Sequence, residues 1–224
     1  AKSTFLTTVA HEIKNPLSSI SLHARDTSEL LEEEPLDFSL MQENLRTIEQ
    51  SVMRIDRIVL DLMDTVSIEQ GRLTLSLVPT DLASLLRSLE KDYNAHPCSR
   101  KNQLTLHLSD SLPEISADPE RLIQVISNLV SNAERHTHGG TITISLSGTP
   151  GWQTICVSDT GTGMSEKMRQ NALKGYVSAD KDYWRHGIGL YVCHQIVTAH
   201  GGKIWIESKK GEGTRVFFSL PEVN

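Results

Sequence analysis

Residues 41–66 read MQENLRTIEQSVMRIDRIVLDLMDTV, and in them Met41, Leu45, Ile48, Val52, Ile55, Val59, Leu62 and Val66 recur at alternating spacings of four and three. This is a heptad seam along one side of a long helix. A lone helix has nothing to bury it against. Upstream, Leu6, Val9, Ile13, Leu17 and Ile20 make a second apolar stripe, and a turn around Glu34, Pro35 and Leu36 predicts that the two helices fold back antiparallel. A pair of helices still encloses no core. The pattern therefore predicts a homodimer whose two hairpins form a four-helix bundle, with packing of the hairpin on the rest of its own chain as the alternative.

This character ends sharply. Residues 1–70 contain no glycine, have prolines only at 16 and 35, and carry 6 basic against 13 acidic residues, whereas residues 71–224 carry 16 against 15. Gly71 stops the second helix and separates a helical domain, 1–70, from a second domain, 71–224. Beyond it, Leu73, Leu75 and Leu77, then Leu104, Leu106 and Leu108, then Ile142, Ile144 and Leu146 alternate with polar residues, as strands with one buried face do. Helical spacing over 81–96, 119–136 and 188–200 lies between them, and Gly211, Glu212 and Gly213 join two closing strands at 203–208 and 215–220. The fold class is α+β: a helical hairpin, then an α/β sandwich with helices on one face of a sheet.

Composition removes several classes of function. With 224 residues and 38% hydrophobic content the chain can bury a real core and is not disordered. No run approaches the roughly 18 apolar residues that cross a bilayer, and no secretion signal opens the chain. Cys98, Cys156 and Cys193 are odd in number and too widely spaced for a disulfide framework or a zinc knuckle. These features predict a cytoplasmic segment that makes no membrane contact of its own, whether or not an anchor lies outside it. A net charge of -6 argues against a nucleic-acid surface.

Four local signals carry chemistry, and each alone has a plainer reading as a solvated helix residue, a cap or a turn. His11, in HEIKNPL, lies off the apolar stripe of its helix, so its imidazole is expected to face solvent as a nucleophile. Glu12 follows it and can accept the other ring N–H. Pro16 costs roughly 3 kcal/mol in a helix interior and is expected to kink the helix and free a carbonyl near the site. Asn128 and Asn132, in NLVSNAERHT, are four apart and share a helix face, where their amide oxygens could serve a hard cation and phosphates, with Arg135 and His136 in the next turn. Asp159 closes an apolar strand and can accept from an exocyclic amine, while Gly161 and Gly163 let backbone approach a flat ligand. Gly187 and Gly189 open a helix whose N-terminus suits an anion.

Taken in order, these segments resemble the catalytic core of a sensor histidine kinase of two-component signalling. HEIKNPL looks like its phosphoacceptor box, NLVSNAERHT its N box, DTGTGM its G1 box and HGIGL its G2 box, and GEGTRVFFSLP resembles its closing strand. The resemblance spans nearly the whole chain and implies a Bergerat-type ATP-binding domain after the hairpin. It implies that His11 attacks the γ-phosphate of ATP with Glu12 as partner or base, that Asn132 holds Mg2+ and Asn128 assists at the phosphates, and that Asp159, with Thr214 nearby, reads the adenine amine. Gly161, Gly163, Gly187 and Gly189 then shape the pocket. The phosphoryl group would pass to an aspartate in the receiver domain of a response regulator, and Glu12 with Asn15 matches the pattern for dephosphorylating that regulator.

Related ATPases such as DNA gyrase carry a glutamate where this chain has Asn128. An amide cannot take a proton from water, so histidine is the expected nucleophile. The chain departs from the pattern at Arg185, where a glycine is common, at His136, where an aromatic is common, and in a short lid with Tyr176 or Tyr183 as its aromatics. These departures bear on nucleotide affinity rather than on the fold. Two rival readings stay open: a dimeric pseudokinase acting as an interaction module, and a plain ATPase.

Overall fold

The helices come first in the computed structural model, which describes residues 2–32, 36–94, 102–109, 112–173 and 188–222, with only the backbone described at 2–8, 11, 12, 57, 61, 69 and 188. The chain divides into two compact units, Ala1–Val66 and Ser67–Asn224. In the first, α1 (Lys2–Leu30) runs through Pro16, and α2 follows as Phe38–Glu69. Pro16 offers no N–H to the carbonyl four residues back, yet the helix continues, so the proline removes one bond and not the element. The expected turn residues Glu34 and Pro35 lie outside the described residues. Asp37 caps α2: its Oδ1 accepts from the Leu40 N–H at 3.0 Å and its carbonyl from the Met41 N–H at 3.1 Å. At the other end Gly71 has φ +65°, and the Gly71 and Arg72 N–H groups donate to Ile68 and Ser67. That double closure is a Schellman stop, which needs the left-handed residue that glycine supplies.

The heptad seam divides in two. Met41, Ile48, Ile55 and Leu62 are half-buried, whereas Leu45 (53% exposed), Val52 (44%), Val59 (40%) and Val66 (44%) face outward at seven-residue spacing. The line buried in α2 is instead Asn44, Ser51, Ile58 and Thr65, with the Ser51 hydroxyl donating to the Thr47 carbonyl. On α1, Val9 and Pro16 are buried while Leu17 is exposed, so Leu17 leaves the expected inward stripe. Among the described residues no helix is long and apolar enough to cross a membrane.

The second unit begins with β1 (Val78–Thr80) and α3 (Leu82–Asn94), then β2 (Gln103–Leu108), β3 (Ile115–Ala117), α4 (Pro119–His136), β4 (Thr141–Thr149) and β5 (Trp152–Asp159). After the short α5 (Glu166–Asn171) come α6 (Ile188–Ala199), β6 (Lys203–Ser208) and β7 (Thr214–Pro221). Five strands form one sheet in the order β2-β4-β5-β7-β6, with only β2 and β4 parallel, and β1 pairs with β3 apart from it. Helix α4 packs on α6 and β5, α6 on β6 and β7, and α3 on β2 and α4. Fully buried Leu122, Ile126, Ile144, Ile155, Ile196 and Phe218 fill the layer between, each contributing about 1.5–3 kcal/mol by leaving water.

One expected strand is absent. Leu73, Leu75 and Leu77 lie in extended chain without a ladder partner, and pairing starts at Val78. The Ser76 N–H is taken by the Asp118 carboxylate at 2.9 Å, a side-chain bond that replaces a strand partner. Leu73 still packs on the core while Leu77 is exposed, so the alternation reported burial only at its start and pairing wrongly.

Candidate functional site

Strand register builds the site. Leu104, Ile142, Asp159, Thr214 and Ser208 stand side by side across the sheet, and the next row toward the core reads Leu106, Ile144, Val157, Val216 and Ile206. Period-two alternation thus sets Asp159 on the same face as buried Ile155 and Val157. The apolar layer turns polar at its end. Above that end lies the last turn of α4, a helix capped at its start by Asp118, whose side chain accepts the Arg121 N–H, with Pro119 at the first position. One face of α4 buries Leu122, Val125, Ile126, Leu129 and Ala133; Asn128, Asn132 and His136 follow one another at four-residue steps on an adjoining face.

Between these elements is a cavity of about 100 Å³ lined by Leu129, Asn132, Ala133, His136, Val157, Asp159, Thr162, Gly163, Met164, Met168, Leu190, Thr214 and Val216. Its polar groups gather at the sheet end. The Asp159 carboxylate accepts the Gly161 N–H at 2.8 Å and also the Thr214 N–H. Burial nevertheless pushes its pKa above the ordinary range, because those two N–H groups offset only part of the desolvation. Burial lowers the His136 pKa, and Arg135 and His138 beside it add to the effect, so the ring is neutral near pH 7. An apolar interior with an acceptor at one end and the Asn132 amide on the rim suits a flat heterocycle with a polar tail.

Close backbone contacts explain two glycines. A Cβ on Gly161 would collide with the His136 carbonyl, and one on Gly163, at φ +63°, with the carbonyls of Lys209 and Gly213. The Thr162 N–H donates to the His136 carbonyl at 3.2 Å and the Gly211 N–H to the Thr162 carbonyl at 2.8 Å, so the loop after β5 is clamped between α4 and the β6–β7 turn.

Two family models match the chain. Residues 1–71 match the His Kinase A (phospho-acceptor) domain, and residues 117–224 match the histidine kinase-, DNA gyrase B-, and HSP90-like ATPase. The chain belongs to the histidine kinases. Among curated relatives, this histidine kinase chain is 30% identical to the adaptive-response sensory kinase SasA of Synechococcus sp. (strain JA-3-3Ab), over 98% of its own length and 59% of the relative's. It is 28% identical to the alginate biosynthesis sensor protein KinB of Pseudomonas aeruginosa, over 98% of its own length and 37% of that protein's. It therefore spans about three fifths or less of the relatives it matches. Among solved structures it resembles histidine kinase ThkA in complex with the response regulator TrrA (TM-score 0.69, 22% identity, 98% of this chain and 61% of that one). Full-length ShkA in complex with AMPPNP gives a TM-score of 0.66 at 25% identity, over 96% of this chain and 45% of that one.

Of the residues singled out in the sequence of this histidine kinase, the fold brings Asn132, His136, Asp159, Gly163 and Thr214 to one cavity, with Gly161 against the His136 carbonyl. Asn128 is buried (4% exposed) one turn before Asn132 and does not line the cavity, Arg135 is exposed, and Gly189 lies in the first turn of α6. Asn15 is exposed on α1; the side chains of His11 and Glu12, and Gly187, Tyr176, Tyr183 and Arg185, lie outside the described residues. Cys156 and Cys193 are buried and form no disulfide with each other, and burial pushes the Cys156 thiol up to about 11, consistent with an inert structural thiol. Met168 and Leu190 were not anticipated. Met168 comes from α5, whose six residues are too short for a periodic signal, and Leu190 reads only as core.

Proposed function

We propose that this protein binds ATP in the cavity beneath α4, autophosphorylates on His11, within one chain or between the two of a dimer, and passes the phosphoryl group to an aspartate of a response-regulator receiver domain. Residues 1–70 are the dimerisation and phosphotransfer hairpin in this reading, and residues 71–224 the ATP-binding domain. The observation that carries it is the Asp159 carboxylate, set by strand register at the end of an apolar cavity that Asn132 and His136 also line. An ionised carboxylate is an acceptor only, which suits the exocyclic amine of adenine.

The polar rim leads from the base site to Asn132, the expected Mg2+ ligand, and Asn128 supports the same face of α4. The described residues contain no cluster of three His, Cys, Asp or Glu side chains. That fits an ion held mainly by nucleotide phosphates with one or two protein oxygens, the usual Mg2+ arrangement. When bound, Mg2+ neutralises charge on the transferring phosphoryl group. In this reading Arg135 would meet phosphate and His136 would stack on the base, Gly187 and Gly189 would open the α6 N-terminus to the phosphates, and Glu12 would serve His11 as hydrogen-bond partner or base. The outward line Leu45, Val52, Val59 and Val66 supports a homodimer, since a single hairpin leaves it in water. Glu12 and Asn15 support a regulator phosphatase activity as well.

Incubation with γ-labelled ATP and magnesium tests the reading. Acid-labile, alkali-stable label on the protein, lost in His11→Gln, is expected. Nucleotide binding without label would make the chain a pseudokinase, and phosphate release without label a plain ATPase. Unchanged regulator dephosphorylation in Asn15→Ala would remove the phosphatase assignment.

A further inference from the structure

Ser208 is the last residue of β6 and pairs in register with Thr214, the first of β7. Its hydroxyl has three neighbours: it accepts the Met164 N–H at 2.8 Å, donates to the Gly213 carbonyl at 2.9 Å and meets Thr214 Oγ1 at 2.9 Å. A hydroxyl owns one proton and two acceptor positions. The Gly213 carbonyl can only accept, so the Ser208 proton goes there. The direction of the third bond follows: Thr214 donates its proton to Ser208. Thr214 also lines the cavity, and with its proton committed it presents only lone pairs to whatever binds there.

We infer that Ser208 is a positioning residue that locks Thr214 as an acceptor and thereby makes the base site selective for 6-amino over 6-oxo purines. The inference rests on the nucleotide-binding reading given above. Asp159 and Thr214 stand opposite each other across β5 and β7, so two acceptors share this end of the cavity. A 6-amino group brings N–H donors to them. A 6-oxo group brings lone pairs against lone pairs, which leaves buried polar groups unpaired. Without Ser208, the Thr214 hydroxyl is free to rotate and donate to a 6-oxo group, and the discrimination shrinks. The same Ser208 oxygen ties Met164, in the loop after β5, to the β6–β7 turn, so it sets the position of two cavity walls as well as the direction of one hydrogen bond.

The test is calorimetric titration of the whole chain with ADP and with IDP, which differ at position 6 and the adjoining ring nitrogen, in magnesium buffer, alongside thermal melts. The unsubstituted protein is expected to prefer ADP, and Ser208→Ala to lower the ADP-to-IDP affinity ratio about tenfold, the value of one neutral hydrogen bond. Ser208→Thr keeps the hydroxyl and is expected to restore the ratio. A Ser208→Ala protein that loses melting temperature, or weakens both nucleotides equally, with the ratio unchanged, would overturn the inference and leave Ser208 merely structural. If Ser208→Ala fails to fold, Thr214→Val removes the other half of the pair and is expected to lower the same ratio; an unchanged ratio there overturns the inference too. Failure of the unsubstituted protein to bind either nucleotide removes the nucleotide reading itself and this inference with it.

Discussion

Thr214 donates its backbone N–H to the Asp159 carboxylate from the directly opposite position on the neighbouring strand. The contact requires the two strands to stay close where the chain enters β7, and Gly213 makes that possible: at φ +82°, a Cβ there would run into the Asp159 carbonyl. The carboxylate is thus fixed by backbone at the edge of an apolar layer. It carries a burial cost that an ordinary surface aspartate does not, a cost to folding that the proposed ligand site accounts for.

Asp159→Asn should separate stability from binding. The folded protein holds the Asp159 proton more tightly than the unfolded chain, so the carboxylate destabilises the fold progressively as pH rises through the carboxylate range. The amide removes that cost. The expected outcome is a melting temperature above that of the unsubstituted protein at pH 7, a difference that vanishes at acid pH, and ADP affinity lower by at least about tenfold in a titration.

Asn132→Ala should damage rate more than fold. Asn132 is half-buried at the cavity rim, so truncation should change unfolding free energy by no more than about 1 kcal/mol in a denaturant titration. Loss of the expected Mg2+ ligand should lower the initial rate of His11 labelling about a hundredfold.

Glycine substitutions should be graded by what surrounds each position. Gly139 has φ +68° with open space around it, whereas Gly163 has φ +63° and two backbone carbonyls in the path of a side chain. Gly139→Ala should cost about 1 kcal/mol from backbone strain alone, and Gly163→Ala about 2 kcal/mol or more because the loop after β5 must move off the β6–β7 turn. Comparison of the two in urea measures the difference.

His136 should make the second compact unit, Ser67–Asn224, sensitive to mild acid. Its pKa is lowered by burial, then by Arg135 and His138, so the unfolded chain takes up the proton first as pH falls. Stability is lost below the ordinary histidine range and is unaffected above it. Replacement by Gln should flatten the melting temperature of residues 71–224 between pH 7 and pH 5, relative to the unsubstituted domain.

Charge on the outward line of α2 should break the proposed dimer. Val59→Glu places a carboxylate in the middle of Leu45, Val52, Val59 and Val66, and a two-fold axis would count it twice. Sedimentation equilibrium should show the dimer dissociation constant rising by about a hundredfold, with helix content by circular dichroism retained at high protein concentration.

Periodicity and turn chemistry, both local, were legible in the sequence. Alternation at 104–108 and 142–146, helical spacing at 119–136, the Gly71 stop and the Gly211–Gly213 turn all reappear as elements, because each rests on propensity and side-chain period within a few residues. Family motifs likewise pointed to Asn132, Asp159 and Gly163. Where local pattern had two solutions, the folded chain chose. Leu73 to Leu77 alternate as a strand does, but the Asp118 carboxylate claims the Ser76 N–H and no ladder forms. Only the register of β5, β7 and β6 sets Asp159 beside Thr214 and Thr214 beside Ser208, since residues 55 and 6 positions apart in sequence become neighbours through strand pairing alone. Sequence by itself determined which helices, strands and motifs exist. Tertiary structure decided which polar groups share the cavity and which of them must donate or accept, because a hydrogen bond's direction is settled only when every partner around it is in place.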